Sequence, residues 1–305
     1  MGQDSNEFSV AISTYNAFNH LRVNLDIIRH NWRQMCDVPI VLSSNHPEVE
    51  KEVMGLRLDR LVMADASIPW TRDGGKTTDK IGFRVRALDC IQHGCQAALE
   101  LGTRYTIHTH ADGWILSAEK VLEITNYMKR NGKVLAAGGW GLDYHIQRYN
   151  IDQRGELDDY FFVIDNGFAR RTGFWDFKAK YGDRVRGHVW YLVARFLELA
   201  GPDRLYHYQD YKGNEVEFGG TTPRNVKPWR YDDRFKMLHI DDFVRYRDIV
   251  SDIFRRNGIT EGVYVQRLLA GELSWQGTPP VELRLNWREK IKDKAEQLAR
   301  LWTRP

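Results

Sequence analysis

The chain has 305 residues, 42% of them hydrophobic and 28% charged, with a net charge of +3. That is apolar material for one large α/β unit or two modest ones, and too small a basic excess for a nucleic-acid partner. No apolar run approaches the roughly 18–20 residues that span a bilayer, and the three cysteines (Cys36, Cys90, Cys95) make neither a CxxC pair nor an even framework. With a polar start lacking signal-peptide character, a reduced, cytoplasmic setting is expected.

The first half alternates strand and helix signals. Phe8–Ser13 reads as a strand ended by Thr14-Tyr15-Asn16, and Leu21, Leu25, Ile28 and Trp32 then recur at helical spacing over residues 18–33. Short apolar runs at Val38–Leu42 and Arg60–Met63 predict two more strands, separated by Ser43-Ser44-Asn45-His46-Pro47 and a short helix. A polar loop over 65–78 leads into a helix marked by Ile81, Val85, Leu88, Ile91 and Cys95. A strand follows at Tyr105–Ile107, then a helix over 117–130 and a strand over 133–138. Repeated β-α-β units of this kind predict a mainly parallel, doubly wound sheet.

Beyond about residue 140 the rhythm changes. Phe161–Ile164 reads as a strand, 188–199 as a strongly apolar helix, and 201–230 lacks clear periodicity. Helices are expected at about 241–256 and 284–302. No internal repeat or low-complexity tail is present.

The most informative stretch is Tyr105-Thr106-Ile107-His108-Thr109-His110-Ala111-Asp112-Gly113. A strand here ends in an imidazole and a carboxylate two residues apart, followed by glycine. In α/β proteins ligands bind beyond the carboxyl ends of strands, and such a pair can hold a divalent cation against a diphosphate. His108, deeper in the strand, is expected to be structural.

The order of these parts resembles that of the GT-A glycosyltransferases, nearest to the family-2-like group. The residues that carry the resemblance are Thr14-Tyr15-Asn16 after the first strand, His110-Ala111-Asp112 at the Asp-x-Asp position, and Phe168-Ala169-Arg170-Arg171-Thr172-Gly173-Phe174 on the acceptor side. It covers roughly residues 7–210. It implies an α/β, Rossmann-like GT-A sheet, mainly parallel and flanked by helices, with a helical C-terminal extension. The expected division is a catalytic domain over 1–235 (nucleotide-sugar half about 1–115, acceptor half about 116–235) and an extension over 236–305. Two departures stand out: His110 replaces the first Asp, and Gly187-His188 stands where the family has a Glu-Asp pair.

The resemblance implies a metal-dependent glycosyltransferase that moves a sugar from a UDP- or GDP-linked donor to a glycan or lipid-linked acceptor, as in polysaccharide biosynthesis. Its Mn²⁺ or Mg²⁺ is expected on His110 and Asp112, the imidazole leaning toward Mn²⁺. A downstream histidine would complete the set: His239, with His207 as competitor. Thr14, Tyr15, Asn16, Asn45 and Ala111 are expected at the nucleotide, with Arg84 at the diphosphate and Lys76, Lys80 and Arg86 as solvated charges. For the acceptor base three residues compete: His188, whose imidazole titrates near neutrality, Asp165 at the end of its strand, and Asp143. A nucleotidyltransferase and a catalytically silent nucleotide-sugar-binding module are the alternatives; no dinucleotide-binding or Walker fingerprint is present. The basic amphipathic helix over 284–302 can contact an anionic membrane surface peripherally, or pack on the domain or on a second copy of the chain.

Overall fold

Alternation along the strands builds the sheet. In the computed structural model, which describes residues 7–33, 35–65, 80–138, 161–177, 188–208, 216–218 and 229–274, the central strand β1 (Phe8–Ser13) is buried at every position. Val10 and Ile12 join one apolar cluster and Ala11 the other, on opposite faces. β2 (Ile40–Ser44) repeats the pattern with Ile40 and Leu42 against Val41. β1 pairs in parallel with β2 and with β4 (Tyr105–His110), and β2 pairs in parallel with β3 (Arg60–Met63).

The helices cover both faces. α1 (Phe18–Asp26), continued by one π-helical turn (Ile27–Asn31), sends Leu21, Leu25 and Ile28 into the first cluster, as their spacing predicts. α2 (Val49–Glu52) is short. α3 (Lys80–Glu100) lies on the opposite face through Leu88, Ile91, Cys95 and Ala98. Its approach is close because residue 94 is glycine: a Cβ there would stand 3.0 Å from the Cβ of Ser43.

The sheet then departs from the parallel pattern. After β4 come β5 (Gly113–Ile115), α4 (Ala118–Arg130), β6 (Leu135–Ala137) and β7 (Phe161–Asp165). β7 inserts antiparallel between β4 and β6. α5 (Asn166–Thr172), α6 (His188–Ala200) and the edge strand β8 (Leu205–His207), parallel to β6, complete the order β3-β2-β1-β4-β7-β6-β8. The expected mainly parallel α/β sheet is therefore present, with one reversed strand.

A second, antiparallel sheet has the order β5-β11-β10-β9, from β9 (Val216–Phe218), β10 (Trp229–Asp232) and β11 (Met237–Ile240). The 235/236 division drawn from sequence falls inside the β10–β11 hairpin. α7 (Arg247–Arg256) and α8 (Val263–Leu269) follow, the first beginning six residues later than expected and the second not foreseen. They pack with Trp114, Leu238, Ile240 and the reverse side of α1 in a third cluster. Asp26, at the end of α1, caps α8 by accepting from the backbone N–H of Tyr264 and Val265. Residues 284–302 lie outside the described residues. No described helix is long and apolar enough to cross a membrane.

Candidate active site and metal centre

Strand order reverses between β1 and β4, which opens a crevice beyond their carboxyl ends. The His110–Gly113 turn sits there, and each of its carbonyl oxygens is satisfied. Asn24, 1% exposed, donates through Nδ2 to the carbonyls of His110 (3.3 Å) and Gly113 (3.2 Å). The Thr109 hydroxyl donates to Gly113 O at 2.6 Å, the Trp114 indole N–H to Ala111 O at 2.9 Å, and the Ile240 N–H to Asp112 O at 3.1 Å. A turn held this way fixes the Asp112 side chain before any ligand arrives.

The pairing of β5 with β11 sets Gly113 opposite His239 and so brings the C-terminal strand to the motif. His239 Nε2 lies 3.6 Å from Asp112 Oδ2 and 3.2 Å from Asp241 Oδ1. One ligand atom from each of the three residues falls within 4.8 Å of the others. The imidazole is 7% exposed, while the carboxylates are 30% and 43% exposed, so the group opens outward on its acidic side. Burial alone pushes the Asp112 carboxyl up, but the His239 hydrogen bond and the charges of His239, His110 and His20 outweigh it and hold the group well below the usual carboxylate range. Burial pushes the Asp241 carboxyl up; His239 and Arg230 draw it back, and the Asp112 charge adds to the rise. Two carboxylates converging on one imidazole favour a positive charge between them, and an O,O,N donor set suits Mn²⁺ or Mg²⁺. The side chains therefore fit a divalent cation.

Behind them His20 is fully buried, its ring edge-on to Phe243 at 4.6 Å. Burial lowers its pKa to about 4 against the pull of Asp112, with the neighbouring His239 lowering it further. It is a neutral wall at working pH.

Beside the three groups lies a cleft of about 200 Å³. Thr14, Tyr15, Asn16, Asn45 and Ala111 line it together with Arg86, His110 and Asp112. Five positions expected at the nucleotide thus share one cavity wall. Asn45 is only 3% exposed, and neither its amide oxygen nor its amide nitrogen has a partner among the described residues; the same holds for the Thr14 hydroxyl. Buried polar atoms left this way cost stability, and a polar ligand would satisfy them. The Arg86 guanidinium lies 5.6 Å from the centre of the Tyr15 ring, and His46 meets the same ring edge-on at 5.3 Å. Burial pushes the Cys90 thiol up to about 12, which rules it out as a thiolate nucleophile.

Other expected residues fall elsewhere. The His110 Nδ1 lies 3.0 Å from the Ser13 hydroxyl, which is also 3.1 Å from His108 Nε2. His110 therefore lines the cleft and acts on Asp112 through its charge, but it is not one of the three converging ligands. His108 is fully buried and stacks on Phe162 with centroids 4.6 Å apart, a structural position. His207 lies on edge strand β8, outside the cluster. Asp165 requires a correction. Because β7 runs antiparallel, Asp165 pairs with Tyr105, at the far end of β4 from His110, and its Oδ1 caps α5 by accepting from Phe168 N–H at 2.7 Å. It does not reach the acceptor side of the crevice. Asp143 and Lys76 lie outside the described residues, as do the side chains of Lys80, Arg84 and His188. Asp241, Arg86 and His20 were not foreseen at the site. For Asp241 a signal existed: His239-Ile240-Asp241 repeats the His-x-Asp spacing of His110-Ala111-Asp112.

No family model matches the chain, and no curated protein sequence matches it. Similar solved structures include mouse xyloside xylosyltransferase 1 in its apo form, at 12% identity over 67% of this chain and 85% of that one, with a TM-score of 0.40. Glucosyl-3-phosphoglycerate synthase from Mycobacterium tuberculosis, in complex with phosphoglyceric acid, is 12% identical over 84% of this chain and 82% of its own, with a TM-score of 0.40. The 4-diphosphocytidyl-2C-methyl-D-erythritol synthase from Anaerococcus prevotii DSM 20548 is 10% identical over 73% and 96%, with a TM-score of 0.38. What the chain itself shows is a mainly parallel sheet of order β3-β2-β1-β4-β7-β6-β8 with an Asp112, His239 and Asp241 group beyond β4.

Proposed function

We propose that this protein is a metal-dependent glycosyltransferase that takes a UDP- or GDP-linked sugar and delivers it to a glycan or glycoconjugate acceptor. The observation that carries the reading is the convergence of Asp112, His239 and Asp241 beside a cleft walled by Thr14, Tyr15 and Asn45. These three side chains would hold the ion. A bound Mn²⁺ or Mg²⁺ supplies charge neutralisation for a departing diphosphate.

The remaining work falls to the chain. Tyr15, backed by Arg86, offers a flat face for a base. The Asn45 amide and the Thr14 hydroxyl offer unused donors and acceptors to base and ribose. The closed hydrogen-bond shell of the His110–Gly113 turn holds Asp112 still, and neutral His20 keeps water from behind the imidazole. For the acceptor hydroxyl, His188 is the proposed base and Asp143 the alternative.

The test is thermal stabilisation across a panel of UDP- and GDP-sugars, with and without Mn²⁺, followed by hydrolysis and transfer assays. A specific nucleotide sugar should raise the melting temperature only when Mn²⁺ is present, because a ligand that binds the folded state alone stabilises it. Turnover unchanged in Asp112→Ala would defeat the metal-site reading. Binding without turnover on any acceptor would favour a silent nucleotide-sugar-binding module.

A further inference from the structure

α3 serves two cavities. Arg86, Ala87 and Cys90 face the cleft already described. Asp89, His93 and Gln96, spaced by four and three residues, form a separate stripe of the same helix. That stripe lines a second cavity of about 700 Å³, which shares no residue with the first. Its volume lies within the range of small-molecule sites, roughly 300–1,000 Å³. The segment after α5 forms the facing wall through Trp175, Asp176 and Phe177. Gln92 ties this wall to α3 by donating from Nε2 to the carbonyl of Trp175 at 2.7 Å and to that of Phe177.

The polar groups in the cavity are fixed and only partly used. Asp89 is buried, with Oδ2 accepting from the Asp65 N–H at 2.7 Å and Oδ1 3.3 Å from His93 Nδ1. The imidazole is thereby oriented, while its Nε2 has no partner among the described residues. The Gln96 amide has none there either, and the Trp175 indole N–H is buried without one. Arg195 lies over the Phe177 ring, 5.5 Å from its centre, and spends its N–H groups on the carbonyls of Gly173, Phe174 and Asp176.

This chemistry selects a ligand class. Carboxylates from Asp65, Asp89 and Asp176 repel a phosphate. An ammonium group only donates, so it would leave the Gln96 and Trp175 N–H donors idle. A hydroxyl both donates and accepts, and it suits His93 Nε2 whether that atom carries a proton or not. Aromatic walls add an apolar surface for a ring with C–H faces. The geometry points to a neutral saccharide, held here through its hydroxyls by His93, Gln96 and Asp176, against Trp175 and Phe177. The assignment does not depend on the metal-dependent reading given under Proposed function.

Calorimetry and ligand-observed NMR with maltose, cellobiose, mannobiose and xylobiose, all in EDTA, test it. At least one disaccharide should bind, and Gln96→Leu and Asp176→Asn should each weaken it by about threefold to tenfold. Asp176→Asn decides the matter if the leucine variant does not fold. In a parallel titration without EDTA, UDP or GDP with Mn²⁺ should not displace the bound sugar. Displacement, unchanged binding in both variants, or no binding by any disaccharide overturns the assignment. Binding of putrescine but of no disaccharide overturns it in favour of a cation pocket. A protein that binds a disaccharide but neither nucleotide sinks the donor-site reading and leaves this one standing.

Discussion

His20 couples the acid stability of this fold to the Asp112, His239 and Asp241 group. Its pKa falls from an ordinary 6.5 to about 4 in the folded protein, chiefly through burial. Between those values the unfolded chain holds a proton that the folded protein refuses. Stability supplied by neutral His20 is therefore complete above about pH 6.5 and is lost as pH falls toward the folded value. From about pH 7 to about pH 4.5 the loss comes to roughly 2–3 kcal/mol. His46, also lowered by burial, adds to this slope, whereas His93, raised by its hydrogen bond to Asp89, opposes it. Comparing wild type with His20→Leu removes both contributions. Urea unfolding in EDTA at the two pH values should show the variant losing roughly 2–3 kcal/mol less than wild type. Equal acid losses in wild type and His20→Leu would refute the reasoning.

Asp241→Asn should weaken Mn²⁺ stabilisation by about tenfold or more while leaving the metal-free protein as stable or more so at neutral pH, since burial and Asp112 disfavour its charge; melting curves with and without Mn²⁺ show both arms. Gly94→Ala should cost about 1–3 kcal/mol in urea unfolding, because its Cβ would press on Ser43 across the helix–sheet contact. Asp26→Ala should cost about 1 kcal/mol and speed hydrogen exchange at the Tyr264 and Val265 amides, whose acceptor it removes.

Local patterns made the first half of the fold readable. β1, β2, β3 and β4 fall where short apolar runs predict them, and the helical positions Leu21, Leu25 and Ile28 face the core together. Asp112 and His239 were legible as a pair for a different reason: each is a metal-capable group at a strand end, and the family resemblance joined them. What failed depended on direction and register. Asp165 looks like a strand-end carboxylate, but strand direction is set by the connection that precedes it, and β7 runs backwards. Asp241 joins Asp112 through the register of β5 with β11, which no nearby residue encodes. Arg86 resembles any solvated helix charge until Tyr15 is placed beneath it.

β5 begins at Gly113, the last residue of the motif turn, yet belongs to the sheet that the last third of the chain completes. Asp112 therefore waits for partners 127 and 129 positions further on (239 − 112 and 241 − 112). Closing so long a segment is slow relative to forming local contacts. During synthesis a partly made chain presents one lone carboxylate, too weak to capture a metal. On the proposed metal-site reading, an ion would be held tightly only after both sheets have met, so metal uptake would mark the end of folding and its kinetics would report that last step.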